Sequence, residues 1–194
     1  MTISKQNITR RTFVDRALKG SLLSLSFKVG GSALLMTPRE ARAKELSLQH
    51  LDADQAGMLE RLGEAIVPGS VESGLVHFID HQFGVEPDDC MLIAKFFQVE
   101  PPYKDFYLGG LSAMATAAEQ NMGKPIDTLD ESELKQFIQQ ISKPGTMGDG
   151  YPVFLFYLCL RSDGVDVVYG TPEGFRKLNV PYMEHILPPE GWNA

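Results

Sequence analysis

Apolar residues recur every three or four positions along most of the chain beyond residue 50, and this spacing predicts amphipathic helices. Two helix starts carry the pattern of a capping box, an aspartate followed three residues later by Gln or Glu, at Asp52–Gln55 and Asp130–Glu133. Pro-Gly pairs at positions 68–69 and 144–145 mark helix ends. We therefore predict an all-α protein, a single small domain of about six helices.

Two further segments are rich in apolar residues that would lie on most sides of a helix. For the first, Asp88–Phe97, we predict a buried helix. The second, Val153–Leu160, fits a central helix packed on all sides, although a continuous apolar run also suits a buried strand. The turn-forming pair Asp163–Gly164 is predicted to follow it.

The C-terminal residues 169–194 differ in character from the rest. Four prolines stand there among aromatic and aliphatic side chains. The stretch is too rich in proline for a helix and too apolar for a disordered tail. We predict an extended Pro-rich strap that lies on a hydrophobic surface, either that of its own domain or that of a partner.

The first 43 residues have the organisation of an export signal. Arg10 and Arg11 are followed by Phe13, which resembles the twin-arginine (Tat) address of bacterial proteins exported in the folded state. A weakly apolar stretch comes next, and Ala41 and Ala43 form a small-x-small cleavage motif. The sequence predicts a Tat signal peptide over residues 1–43, a mature domain over residues 44–194 and a periplasmic location.

The apolar part of this signal, Gly20–Met36, does not resemble a membrane span. It is interrupted by Lys28 and rich in Gly and Ser, whereas a spanning helix needs about 20 apolar residues. We expect contact with the membrane only through a partner, at the periplasmic face of the inner membrane, with an uncleaved anchor as the alternative.

Charge divides the chain at the same boundary. Residues 1–43 hold eight Lys/Arg and two Asp/Glu, whereas residues 44–194 hold ten Lys/Arg and 23 Asp/Glu. Such an acidic domain repels phosphate backbones, so no nucleic acid is expected as a partner. The charge serves solubility or fits a basic partner.

Cys90 and Cys159 are the only cysteines. A pair in an oxidising compartment suits a disulfide, while the apolar surroundings of both positions suit free core thiols. Neither residue lies in a CxxC or CxxCH motif, so the sequence carries no signature of thiol-redox chemistry or covalent haem attachment.

Candidate chemistry in the mature region is sparse. The loop 145–150 runs G-x-x-G-x-G without a preceding strand, unlike a dinucleotide-binding loop, and no GxSxG nucleophile motif occurs. His77 and His81 have a helical spacing that can chelate a metal, although two ligands do not complete a site. A free-standing periplasmic binding or metal-handling protein is therefore the alternative function. Arg161 suits either a helix C-terminus or an ion pair across an interface.

Several short segments together resemble the gluconate 2-dehydrogenase subunit 3 family, the small gamma subunit of bacterial membrane-bound sugar-acid dehydrogenases. The C-terminal part is similar to the gluconate and 2-ketogluconate branch, except that Thr171-Pro172-Glu173 stands where many members have Gly-Gly-Asn. The segments that carry the resemblance are residues 65–68, 72–80, 107–111, 167–175, 180–186 and 188–192.

The resemblance implies a heterotrimer that oxidises gluconate, 2-ketogluconate or a related polyol. A large flavoprotein of the glucose-methanol-choline (GMC) type would hold FAD, and a c-type cytochrome would hold haem c. The small subunit would hold no cofactor, metal or catalytic residue, and its signal would carry the flavoprotein out as a folded passenger. For the interface with these partners we predict the following residues: Arg161, Tyr169, Phe175, Tyr182, Met183, His185 and Trp192.

Overall fold

The structure is a computed structural model that describes residues 24–146, 148 and 150–179. It confirms the predicted all-α class, since these residues form seven α-helices, three short 3₁₀ turns and a single two-stranded hairpin. In chain order the helices are α1 (Pro38–Ala43), α2 (Ala53–Ile66), α3 (Leu75–Gln82), α4 (Tyr103–Met122), α5 (Glu131–Ile141), α6 (Val153–Tyr169) and α7 (Pro172–Lys177).

Helix α6 is the centre of the domain, because it packs against α2, α3, α4, α5 and α7. Its residues Phe156, Cys159 and Leu160 have no exposed surface, which confirms the predicted central helix. The capping boxes at Asp52 and Asp130 are both formed and open α2 and α5. No helix in the described part of the chain is both long and apolar enough to cross a membrane.

Helix α6 does not end where the sequence indicated. It continues through Asp163 and Gly164 to Tyr169, so the predicted turn at this pair is wrong. Gly164 serves close packing, because a Cβ there would lie 3.0 Å from Cγ2 of Val67. Arg161 consequently lies in the middle of the helix and cannot complement the dipole at its C-terminus.

The predicted buried helix over Asp88–Phe97 is also wrong. This segment forms two 3₁₀ turns, Pro87–Asp89 and Ile93–Lys95, and buries alternate residues. Cys90, Leu92 and Ala94 face the core, while Met91, Phe96 and Phe97 are exposed. The sequence does not reveal this two-residue alternation, because residues 90–94 are all apolar and each could face the core.

A hairpin precedes α1. Its strands β1 (Leu25–Val29) and β2 (Ser32–Met36) pair antiparallel, with Leu25 opposite Met36. Gly30 and Gly31 have φ values of +55° and +82°, as the favoured two-residue turn between twisted strands requires. Leu25 and Met36 are both buried, so the open end of the hairpin is attached to the domain. The Gly-Gly pair between two apolar runs is the sequence signal for this hairpin, which we did not predict.

The predicted extended strap is corrected in its first part, where residues 172–177 form α7. Thr171 caps the helix by accepting a hydrogen bond from Gly174 N at 3.1 Å. Pro172 is tolerated because the N–H that it lacks would have no partner in a first turn. Residues 180–194, the remainder of the strap, lie outside the described residues.

The Gly109–Gly110 pair in the interior of α4 allows close approach of another element, and it yields a test of the core. A Cβ at Gly110 would overlap the Phe156 ring of α6. We expect Gly110→Ala to lower the free energy of unfolding by about 1–3 kcal/mol, measured by urea denaturation. Gly57→Ala is the matched control, because Gly57 is helical with nothing within 4 Å of an added Cβ. It should gain about 0.5–1 kcal/mol, and an equal effect of both substitutions would contradict the packing of α4 on α6.

Candidate functional site

Asp163 is the polar centre of the core and has no exposed surface. One carboxylate oxygen accepts a hydrogen bond from Ile93 N at 3.0 Å, and the other accepts one from the Tyr107 hydroxyl. Burial raises the pKa of Asp163 to about 7, although both hydrogen bonds act in the opposite direction. Burial and the neighbouring carboxylate likewise raise the pKa of Tyr107. This pair joins α6 to α4 and fixes the loop that contains Ile93.

Gln82 holds the same loop from the α3 side. Its side chain is 2% exposed, and its Oε1 accepts a hydrogen bond from Met91 N at 2.7 Å. Lys95 Nζ donates to the carbonyl of Asp88 at 2.5 Å, which closes the loop on itself. The backbone between residues 88 and 95 is therefore fixed by groups from α3, α6 and the loop itself.

This fixed loop displays large apolar side chains to solvent. Phe96 is 68% exposed, Phe97 45% and Met91 42%. They make up three of the six large apolar side chains that are exposed within the described residues, and all three stand on this one loop. We call Met91, Phe96 and Phe97 the aromatic loop surface. Aromatic and methionine side chains held in one place are typical of protein–protein interfaces.

The aromatic loop surface could not be predicted from the sequence. The adjacent phenylalanines stand in a run that looks like core, and only the neighbouring elements decide which residues are buried. Asp163 was missed for a similar reason, since Asp-Gly is a common turn signal. The one hint is that Asp163 continues the helical spacing of the apolar residues Phe156, Leu160 and Val167, where an unpaired carboxylate would be costly.

A second polar cluster lies on α3. The carboxylate of Asp80, which is 4% exposed, accepts hydrogen bonds from the backbone N–H groups of Gln49 and His50, both at 2.8 Å, and of Leu51 at 2.9 Å. His77 Nε2 donates to the carbonyl of Leu46 at 3.0 Å, and His81 Nε2 donates to that of Ser26 at 3.1 Å. We call His77, Asp80 and His81 the α3 clasp, because together they hold chain segments between residues 26 and 51.

The clasp does not favour the metal-handling alternative. The Nε2 atoms of both histidines are engaged by carbonyl groups, and burial lowers the pKa of each ring. A cavity of about 280 Å³ beside them is also lined by His50 and Asp80. Yet the described residues contain no group of three His, Cys, Asp or Glu side chains placed to hold a metal ion.

The predicted interface residues are only partly described. Arg161 is exposed on α6, and Tyr169 and Phe175 are partly buried on α6 and α7. Within the described residues Arg161 forms no ion pair. Its role at an interface stays a prediction, as does that of the strap residues outside the described part of the chain: Tyr182, Met183, His185 and Trp192.

The predicted export signal is described only at its C-terminal end. Arg10, Arg11 and Phe13 lie outside the described residues. Ala41 is fully buried in α1, and Ala43 is exposed at the end of that helix. The boundary between residues 43 and 44 stays a prediction.

Cys90 and Cys159 do not form a disulfide in the structure, and both are free and buried. Burial raises the pKa of Cys90, and it raises the pKa of Cys159 to about 12. Both groups are therefore neutral thiols at physiological pH and act as small apolar residues of the core.

These features define a small helical domain whose buried polar side chains fix its own irregular segments, and whose exposed aromatic side chains are gathered on one loop. The chain belongs to the gluconate 2-dehydrogenase subunit 3 family, since the family model of that description matches residues 11–188. Members are subunits that associate with the other gluconate dehydrogenase subunits. Neither a search of curated proteins nor a search of solved structures found a match.

The raised pKa of Asp163 predicts a pH dependence of stability. Between its ordinary value of 3.8 and about 7, the folded protein keeps a proton that the unfolded chain releases, so this group's contribution to stability falls as pH rises. Asp163→Asn cannot ionise. We expect the free energy of unfolding of the variant, relative to the parent, to rise by up to about 4 kcal/mol across this window.

Urea denaturation at both ends of the pH window measures this difference. The control is Asp127→Asn, because Asp127 is exposed in the Ile126–Thr128 turn. For Asp127→Asn, the difference in free energy of unfolding between variant and parent should be nearly the same at both pH values. A constant difference for Asp163→Asn as well would show that the buried carboxylate does not titrate in this range.

Proposed function

We propose that this chain is the non-catalytic small subunit of a periplasmic, membrane-associated, FAD-dependent gluconate 2-dehydrogenase-type complex, needed for Tat export, assembly and stability of the flavoprotein subunit. The match of the family model to residues 11–188 carries the proposal. In this proposal FAD belongs to a GMC-type large subunit and haem c to a c-type cytochrome, which also provides the contact with the membrane. The choice of substrate lies in the large subunit.

The aromatic loop surface supports a docking role. Its backbone is fixed by Gln82 and Asp163 before any partner arrives, so association would order few additional degrees of freedom. Phe96, at 68% exposure, would bury a large apolar area on contact. We propose that this surface contacts the flavoprotein subunit.

The charged residues near the aromatic loop surface indicate which kind of partner surface would be complementary to it. Four exposed acidic residues flank the loop in the sequence, namely Glu86, Asp88, Asp89 and Glu100. A flavoprotein surface with an apolar pocket and basic residues at its rim would complement this arrangement. Charge of this kind contributes mainly to the rate of association and to partner choice, while the buried aromatic side chains contribute most of the affinity.

The export role is tested by the arginine pair. We expect Arg10→Lys combined with Arg11→Lys, in a strain that expresses all subunits, to leave the flavoprotein in the cytoplasm. Periplasmic dye-linked gluconate oxidation should then fall by more than about tenfold, because the address that both proteins share is lost. Arg16→Lys, a change at a basic residue outside the pair, is the control and should be silent. Normal periplasmic activity of the double variant would refute the export role.

The docking role is tested on the aromatic loop surface. Phe96→Asp and Phe97→Asp place a charge where we expect a desolvated contact, so affinity for the flavoprotein should fall by at least about tenfold for each. Co-purification and a binding titration with the isolated flavoprotein measure the loss. Leu34→Asp is a matched control, because Leu34 is 46% exposed and Phe97 45%. If both Phe variants bind normally, the docking face lies elsewhere, with Arg161, Tyr169 and Phe175 as the next surface to test.

A further inference from the structure

The motif that looks like a cleavage site, Ala41-Arg42-Ala43, lies within a folded helix. Thr37 caps α1 by accepting a hydrogen bond from Glu40 N at 3.1 Å, and Glu40 Oε2 accepts one from Thr37 N at 2.8 Å. Ala41 has no exposed surface, and Pro38 is buried. A peptidase needs its substrate extended and accessible, so a helix with a fully buried alanine at the recognition position is a poor substrate while it stays folded.

The N-terminus of α3 packs directly against α1. Gly74 begins α3 with φ of +83°, and a Cβ at this position would overlap the carbonyl group of Pro38. The backbone of α1 therefore lies directly on the N-terminus of α3. Any side chain at position 74 would push the two elements apart.

Arg39 connects α1 to two distant parts of the chain, the segment before α3 and helix α7. Its Nη1 donates to both carboxylate oxygens of Glu173 on α7, at 2.8 and 2.9 Å, and lies 3.3 Å from Glu72. Its Nη2 donates to Ser73 Oγ at 3.2 Å. A guanidinium that joins three side chains from two distant parts of the chain is well ordered, and removing residues 1–43 would leave both carboxylates without their cation.

The α3 clasp extends this attachment on both sides of α1. His81 holds Ser26 before it, and its ring packs against Phe27 with centroids 5.0 Å apart. His77 and Asp80 hold residues 46–51 after it. These attachments lie on both sides of the point between residues 43 and 44, which is itself exposed at the end of α1.

We propose that the exported protein keeps residues 24–43 as part of its folded domain and is not cut after Ala43. The proposal rests on the proposed Tat export, because a chain that folds before export presents this site to the signal peptidase only in its folded form. The twin-arginine address can then act without being removed at this position. The match of the family model also begins at residue 11 and includes the whole segment.

The mass of the exported protein gives the first test. The full chain carrying a C-terminal tag is purified from periplasmic and membrane fractions, and its intact mass and N-terminal sequence are determined. We expect an N-terminus at or before Ser24. An exported chain that begins at Lys44 would overturn the inference. If the chain is found only in the cytoplasm, the export proposal fails, and the second test decides the inference by itself.

The second test exposes the purified full-length protein to purified signal peptidase in detergent. We expect only slow cleavage after Ala43 in the folded parent, and rapid cleavage after Ala43 once the protein is unfolded in urea and diluted into the assay. Arg39→Ala leaves the motif intact and removes the contacts to Glu72, Ser73 and Glu173. Because cleavage of a folded chain follows the population that opens locally, this variant should be cut at least about fivefold faster than the parent.

Lys124→Ala is the matched control for Arg39→Ala. It removes a cation that lies 2.5 Å from Glu133, outside the N-terminal segment, and it should be cut as slowly as the parent. Circular dichroism would show that both variants remain folded. Rapid cleavage of the folded parent after Ala43 would overturn the inference, and so would equal rates for Arg39→Ala and Lys124→Ala.

Discussion

A buried backbone N–H in an irregular segment must find an acceptor, and this constraint explains the polar side chains within this domain. Asp80, Gln82 and Asp163 are all nearly or fully buried, and each accepts hydrogen bonds from the backbone of a segment that is not helical. Without them the segments at 46–51 and 90–95 would leave N–H groups unsatisfied against the core, at a cost of about 1–3 kcal/mol for each group. The helices form the frame, and these three residues hold the loops to it.

The same constraint links the core to the surface of the molecule. Asp163 joins Tyr107 on α4 to the loop that carries the aromatic loop surface, so packing of the central helix determines how the exposed phenylalanines are presented. The α3 clasp likewise determines the position of the chain segments between residues 26 and 51. Function that depends on either segment will therefore respond to substitutions deep in the core, and a loss of docking in a core variant need not indicate a direct contact.

Local signals in the sequence predicted the regular elements well. The capping boxes at Asp52 and Asp130 act through residues only three positions apart, and both are formed as predicted. The predictions failed where a residue distant in the sequence determines the local structure. Asp163 stays helical because Ile93 and Tyr107 satisfy its carboxylate, and Met91 stays outside any helix because Gln82 accepts from its N–H. The aromatic loop surface depends on these long-range pairs, so its existence could not be read from the spacing of apolar residues.

The N-terminal segment shows that the same residues can form a cleavage motif in an unfolded chain and a packed helix in the folded one. Read as a string, Ala41-Arg42-Ala43 has the residue sizes that a signal peptidase prefers. Small residues are also what a tight helix–helix contact requires, and α1 uses Ala41 in this way where it lies on α3. Whether the motif is accessible depends on whether the chain folds before or after export. Export of an unfolded chain would present the motif before α3 has formed. Export of a folded chain would present it after Arg39 and the α3 clasp have made their contacts. If the chain is exported in the folded state, as proposed, the second order applies, and residues 24–43 then stay part of the folded domain.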